Sequence, residues 1–182
     1  NRGYDSVGVA YHPQQEHSDI EIKKHASTRE DDCFDLLTQD YSREQYSSNC
    51  VIGHTRWATH GARSSTNAHP HYSYDRNVVL VHNGIIENYG ELREFLRSND
   101  IHSYSETDSE VVANMIAYQL TVTKDLEKAI LETCKKISGT YALGIISPIS
   151  PSTIYAIRSG SPLVYGQNNE YKICTSEIAG FN

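Results

Sequence analysis

Residues 77–89 read NVVLVHNGIIENY. Asn77 to His82 is an apolar, β-branched run of the kind that fills a strand covered on both faces. Asn83-Gly84 is a strong turn signal that closes it. Ile85 and Ile86 then lead quickly to Asn88, with Glu91 three residues on as a capping-box partner. From there Tyr89, Leu92 and Leu96 repeat at helical spacing. Strand, Asn-Gly, then helix is the first decision about the fold.

Two further helices follow. Thr107 and Glu110 make the T-x-x-E form ahead of Val112, Met115, Ile116 and Leu120 on one face. A third helix starts near Asp125, places Leu126, Ala129, Ile130 and Ile137 inward, and stops at Ser138-Gly139. Four strand-like runs come next: Thr140–Ser147, Thr153–Arg158, Pro162–Gly166 and Tyr171–Thr175, punctuated by Pro148, Pro151, Gly160 and Gly166. Upstream, Val7–His12 and the stretch around Glu21-Ile22-Lys23 read as strands. Glu30–Tyr46 reads as a helix anchored by Phe34, Leu36 and Leu37. Strands grouped after a cluster of helices predict an α+β layered domain rather than a βαβ dinucleotide fold. No G-x-G-x-x-G or P-loop occurs, so a phosphate cradle has no support.

With 182 residues the chain is long enough for one domain and a sizeable core. At 38% apolar residues the composition disfavours disorder, collagen and coiled coil. The longest uncharged apolar runs, Val78–Val81 and Ala142–Ile146, fall far short of a membrane span of about 20 residues, and no signal-peptide pattern is present. A formal charge of −7 argues against a general nucleic-acid binder, which needs a clustered basic face. Cys33, Cys50, Cys134 and Cys174 are scattered and never paired as C-x-x-C, which predicts a reduced, cytoplasmic setting.

Polar and glycine residues concentrate at Arg2–Ser6, His54–His71 and His82–Asn88. The middle segment, HTRWATHGARSSTNAHPH, has almost no aliphatic content, so it is a poor core element and reads as a binding loop or as a solvated surface loop. His69 and His71 would share one face of an extended segment, with His54 and His60 nearby. No cysteine or spaced acidic set accompanies them, so no metal is expected. No G-x-S-x-G elbow supports a serine hydrolase.

Six motifs occur in order: RGYDS (2–6), HTRWATHG (54–61), NAHPH (67–71), VHNGIIENY (81–89), SETDSEV (105–111) and RSGSPLV (158–164). Together the chain resembles the glutaminase domains of the glucosamine-6-phosphate synthases. These are class II glutamine amidotransferases of the N-terminal-nucleophile hydrolase superfamily. The resemblance is loosest from Gln14 to Asn49. The amidophosphoribosyltransferases differ at two places: they read R-Y-S-T against Arg56-Trp57-Ala58-Thr59 and A-Q-P against Ala68-His69-Pro70. The resemblance implies a four-layer αββα sandwich of antiparallel sheets. It also implies hydrolysis of L-glutamine without a cofactor, with ammonia delivered to fructose 6-phosphate on sugar-isomerase domains of a homo-oligomeric parent. No nucleic-acid or membrane partner is expected.

Hydrolysis of the glutamine amide sets requirements that particular residues meet. An arginine fork suits the α-carboxylate, and Arg56 matches, although a surface salt bridge is the bland alternative. The α-ammonium needs an anion, and Asp108 matches, although an acid in the first turn of a helix also offsets the macrodipole. The developing oxyanion needs fixed donors. The resemblance gives that role to the Asn83 side chain and the Gly84 N–H. It also assigns Arg2 and Gly3 to positioning the nucleophile, Trp57 to covering glutamine, and Thr59, His60 and His69 to the glutamine-site loop. Asp5 and Ser6 suit packing or turn roles as well as catalysis.

One departure stands out. In the family an N-terminal cysteine attacks while its own amine serves as the base. Here the R-G-Y-D-S motif begins at the second residue, Asn1 has no nucleophilic side chain, and the four cysteines fall elsewhere. The expectation is therefore a domain spanning 1–182 that is incomplete at both ends and inactive alone. A non-catalytic glutamine-binding module of the same fold is the alternative.

Overall fold

A computed structural model describes residues 5–13, 19–42, 48–56 and 62–181. Three strands form the first sheet: β1 (Ser6–Tyr11), β2 (Glu21–Ala26) and β3 (Val51–Arg56), in the order β2-β1-β3 and antiparallel throughout. A second sheet has the order β4 (His71–Tyr72), β5 (Val79–Ile86), β6 (Gly139–Ile146), β7 (Tyr155–Ser159). A separate hairpin joins β8 (Val164–Gln167) to β9 (Lys172–Thr175), and a 3-10 turn covers Ile178–Phe181. The helices are α1 (Cys33–Ser42), α2 (Tyr89–Arg97), α3 (Asp108–Thr123) and α4 (Leu126–Cys134).

Period-2 alternation explains the layering. On the first sheet, Val7 and Val9 pack with Cys33, Leu37 and Tyr41 of α1, while Ala10 and Ile52 turn the other way. Those two meet Val79 and Ile146 of the second sheet. The opposite face of the second sheet carries Val78, Leu80, Ile86, Leu143 and Ile145, which pack against α2, α3 and α4. The result is α1, sheet, sheet, helices: the expected αββα sandwich. The largest cluster lies on the helical side, where Val111, Val112, Met115 and Ile116 of α3 are almost fully buried. Each such side chain contributes about 2 kcal/mol by the apolar area it removes from water.

Several local expectations need correction. Asn83-Gly84 does not end a strand, because β5 continues through it to Ile86 with Asn83 opposite Ala142 and Gly84 opposite Tyr141. The glycine has φ +142°, and a Cβ there would lie 2.0 Å from the Thr140 carbonyl oxygen. Glycine is thus required for the close approach of β6, and not for a turn.

His54, Thr55 and Arg56, read as part of a loop, complete strand β3, and His71 forms β4. In β3 the polar residues His54 and Arg56 share a face with Ile52 and point between the sheets, so the strand lacks the usual apolar alternation. Asn88 is the N-cap of α2, but its side chain makes no capping bond. It donates to the Lys136 carbonyl (2.8 Å) and accepts from the Ser138 N–H (2.9 Å), tying α2 to the connection after α4.

The helix expected over Glu30–Tyr46 begins at Cys33: the Thr28 hydroxyl accepts from the Asp31 N–H in a turn ahead of it, and the Asp32 carboxylate accepts from the Phe34 N–H of its first turn. Residues 43–47 lie outside the described residues. Cys33 and Leu37 anchor α1, whereas Phe34 is exposed.

Two helix starts match their sequence signals. The Thr107 hydroxyl accepts from the Glu110 N–H at the head of α3, and the Asp125 carboxylate accepts from the Lys128 N–H at the head of α4. Glu110 does not complete a capping box, since its carboxylate accepts from the Tyr104 and Ser105 N–H groups instead.

Candidate functional site

Along β5, buried Val79 and half-buried Val81 give way on the same face to exposed Asn83 and Ile85. The layer between the sheets opens there into a cleft of about 1660 Å³. Arg56 of β3, Asn83 and Gly84 of β5, and Asp108 at the start of α3 all line it. With His69, which lines it from the segment before β4, five of the sequence-derived site residues come together there.

Each is held differently. Arg56 lies opposite Ser6 across the first sheet and is only 7% exposed. Burial pushes its guanidinium pKa down, against the opposing pull of Asp5 and Asp108. Asp108 is not a freely projecting carboxylate. One oxygen accepts from the Ile86 N–H (2.9 Å) and the other from the Ser109 hydroxyl (3.2 Å). Burial pushes its pKa up, but the Ile86 and Ser109 hydrogen bonds and the His82 ring 3.7 Å away outweigh this and hold it below the ordinary carboxylate range. A carboxylate kept ionised in this way, with exposed surface left over, suits a cationic ligand group.

Behind this wall lies a buried histidine cluster. The His69 ring stacks 4.3 Å from His54 and meets His71 edge-on at 4.7 Å. His69 Nε2 lies 2.8 Å and His82 Nδ1 2.9 Å from the Ser109 hydroxyl oxygen. That hydroxyl has one proton, which it donates to Asp108. Both histidines must then donate to the serine oxygen. The remaining nitrogens, His69 Nδ1 and His82 Nε2, have no hydrogen-bond partner, as befits bare lone pairs rather than buried N–H groups. The geometry thus fixes both tautomers.

Burial is also the leading cause that pushes His54 down to about 4 and His69 and His71 well below the ordinary imidazole value. His69 bonds to Ser109 and His71 to Thr107, so these rings do not converge on a common point. Among the described residues, no group of three or more His, Cys, Asp or Glu side chains is arranged to hold a metal ion.

His69 packs within this cluster and also lines the cleft. Asp5 is buried and accepts from Arg63 Nε at 2.8 Å, a packing role. Arg2, Gly3, Trp57, Thr59 and His60 lie outside the described residues. Sequence reasoning passed over Ser109, the hub of the cluster, and weighed His54 only as a neighbour of possible metal ligands. The shared parity of Ile52, His54 and Arg56 was the available signal for the latter. It also passed over Asn67 and Glu106, whose side chains exchange hydrogen bonds with the other's side chain or backbone (2.9 and 3.0 Å) and tie the segment after residue 61 to the loop before α3.

Comparison with known proteins agrees with this fold. The chain belongs to the glutamine amidotransferase domain family, which matches residues 54–182. It is 41% identical over 177 residues to the glutamine–fructose-6-phosphate aminotransferase (isomerizing) of Caldanaerobacter subterraneus subsp. tengcongensis, covering 97% of this chain and 28% of that protein. The enzyme of the same name from Aquifex aeolicus is 40% identical with the same coverage. The chain thus spans just over a quarter of the length of these relatives. Among solved structures, one titled as the allosteric regulatory enzyme of purine biosynthesis superposes with a TM-score of 0.80 at 21% identity, covering 99% of this chain and 37% of that one. The glutamine phosphoribosylpyrophosphate amidotransferase of B. subtilis gives 0.75 at 20%, with the same coverage. At that identity the likeness is one of fold alone. Among the described residues, no helix is long and apolar enough to cross a membrane.

Proposed function

We propose that the chain is the glutamine-hydrolysing domain of a glutamine–fructose-6-phosphate aminotransferase, a glucosamine-6-phosphate synthase. The observation that carries this reading is the convergence of Arg56, Asp108, Asn83 and Gly84 on one cleft. In this reading the Arg56 fork takes the α-carboxylate of glutamine and Asp108 its α-ammonium. Held by both ends, the substrate extends its amide toward β5. There the Asn83 NH₂ and the Gly84 N–H stabilise the oxyanion that forms when a nucleophile attacks the amide carbon. Ammonia leaves, and water then releases glutamate from the enzyme.

The nucleophile is the terminal cysteine that the resemblance implies for the whole gene product, with Arg2 and Gly3 positioning it. Trp57, Thr59 and His60 belong to the cover over glutamine. Sugar-isomerase domains holding fructose 6-phosphate would receive the ammonia in a cytoplasmic homo-oligomer, with no cofactor, nucleic acid or membrane involved. Identity of 36–41% to the aminotransferases, against 20% to the solved phosphoribosylpyrophosphate amidotransferase, supports this choice of acceptor.

A glutamine-binding module without catalysis is the second reading. It draws on the thiols. Burial raises the pKa of Cys50, Cys134 and Cys174, the opposite of what an activated nucleophile needs.

The test is glutamate release by the whole gene product, with intact-mass determination of its N-terminus and with glucosamine 6-phosphate formation measured on addition of fructose 6-phosphate. Asn83→Ala is expected to lower kcat by about 10²–10³ with little change in KM. A raised KM at unchanged kcat would instead assign Asn83 to ground-state binding. Glutamine binding without turnover by a protein that starts at Asn1 would establish the second reading.

A further inference from the structure

The face of the first sheet that looks toward the second carries one lysine. On β2, Ile22, Lys24 and Ala26 stand opposite Ala10, Gly8 and Ser6 of β1, so Lys24 points between the sheets among small or apolar neighbours. An ammonium there must be satisfied by fixed acceptors. Its Nζ donates to the carbonyls of Ala68 (2.7 Å) and Pro70 (3.1 Å), with a longer approach to Thr66 (3.4 Å). Ala68 and Pro70 flank His69, which sits against β1 so closely that a Cβ on Gly8 would lie 2.1 Å from the His69 carbonyl oxygen and 2.6 Å from the Lys24 Cβ.

His69 is the residue whose ring donates to Ser109, which in turn donates to Asp108. One continuous set of contacts thus runs from Lys24 through the backbone around His69, the His69 ring and the Ser109 hydroxyl to the carboxylate at the cleft.

We infer that Lys24 is a positioning residue for glutamine binding: its ammonium clasps the backbone on either side of His69 and thereby sets the His69–Ser109–Asp108 chain that presents the carboxylate to the ligand. The role rests on the glutaminase reading above. Lys24 touches neither substrate nor the reacting atoms, and it acts through the segment that closes back onto β4.

The clasp depends on the ammonium's charge, and burial lowers the Lys24 pKa from its ordinary value to about 8. Glu110 of α3 partly opposes that shift. His71 of β4 is the other titratable group that responds to the Lys24 charge, and it is held neutral. The β1 and β2 residues on the same face are uncharged. Folded Lys24 therefore loses its proton as pH rises through about 8, and the clasp weakens over that window.

The experiment is glutamine binding by titration calorimetry, with KM and kcat measured in parallel, on the whole gene product and its Lys24→Met and Lys24→Arg variants between pH 7 and 9. Lys24→Met is expected to weaken glutamine binding about tenfold at pH 7, because charge-assisted bonds to the segment are lost, with kcat changed much less. In the wild type, KM should rise through pH 8. In Lys24→Arg, whose guanidinium stays charged, that rise should be smaller, leaving only the part due to deprotonation of glutamine's own α-ammonium. Wild-type binding with Lys24→Met within twofold of it, or identical alkaline KM profiles in wild type and Lys24→Arg, would overturn the role while leaving the glutaminase reading intact. Failure of the wild type itself to bind glutamine would overturn both. Should Lys24→Met not fold, the Lys24→Arg profile decides alone.

Discussion

Acidification should unfold this protein through its buried histidines before its carboxylates titrate. In the folded state His54 stays neutral down to about pH 4, whereas in the unfolded chain it takes up a proton near the ordinary value of about 6.5. Between those values the unfolded state binds more protons than the folded one, so stability falls as pH falls. Going from pH 7.5 to 5.5, His54 alone removes about 1.4 kcal/mol. His69 and His71 are shifted in the same direction and by the same leading cause, burial. Both add to the His54 loss in the same sense, against a stability of about 5–15 kcal/mol typical of a domain. Asp108, held low, destabilises the fold in the same sense, but only below its ordinary range near pH 4. The assay is urea unfolding followed by circular dichroism at pH 7.5, 6.5 and 5.5, extrapolated to water at each pH. A loss below about 1 kcal/mol across the interval would refute the buried, neutral cluster.

Two substitutions probe the same interior. Gly8→Ala drives a Cβ into the His69 carbonyl and the Lys24 stem, and is expected to cost about 3 kcal/mol, seen as a melting temperature lowered by roughly 6–12 °C. An unchanged melting curve would mean that β1 and the His69 segment are not in that contact. Ser109→Ala leaves two buried imidazole N–H groups without an acceptor and removes a donor from Asp108. A stability loss of about 2–4 kcal/mol is expected, with nitrogen NMR of His69 and His82 departing from the wild-type Nε2–H and Nδ1–H tautomers; unmoved tautomers would refute the hub.

Much of the helical half was legible along the chain because helix signals are local. Thr107 and Asp125 cap where their spacing places them, and Leu126, Ala129 and Ile130 face inward as their period requires. The site was partly legible for a different reason. Arg56, Asn83, Gly84 and Asp108 sit in ordered motifs whose chemistry matches the two charged ends and the amide of glutamine. Strand β3 was not legible, because Ile52, His54 and Arg56 share one inward face and two of the three are polar. A period-2 pattern shows only when one face is apolar.

Residue types and their spacing were therefore enough to establish the α+β class and the helix boundaries within a few residues, and the ordered motifs named the side chains proposed to hold glutamine. Whether Asn-Gly turns or runs straight was decided by β6, which approaches so closely at Thr140 that only a glycine fits. What Asp108 faces was decided by Ile86 and Ser109. Lys24 acquired its partners from residues 44 and 46 positions away. A local pattern encodes which face a residue shows. The identity of what meets that face depends on how distant segments stack, and for a buried charge or imidazole that meeting sets its proton, its tautomer and its use.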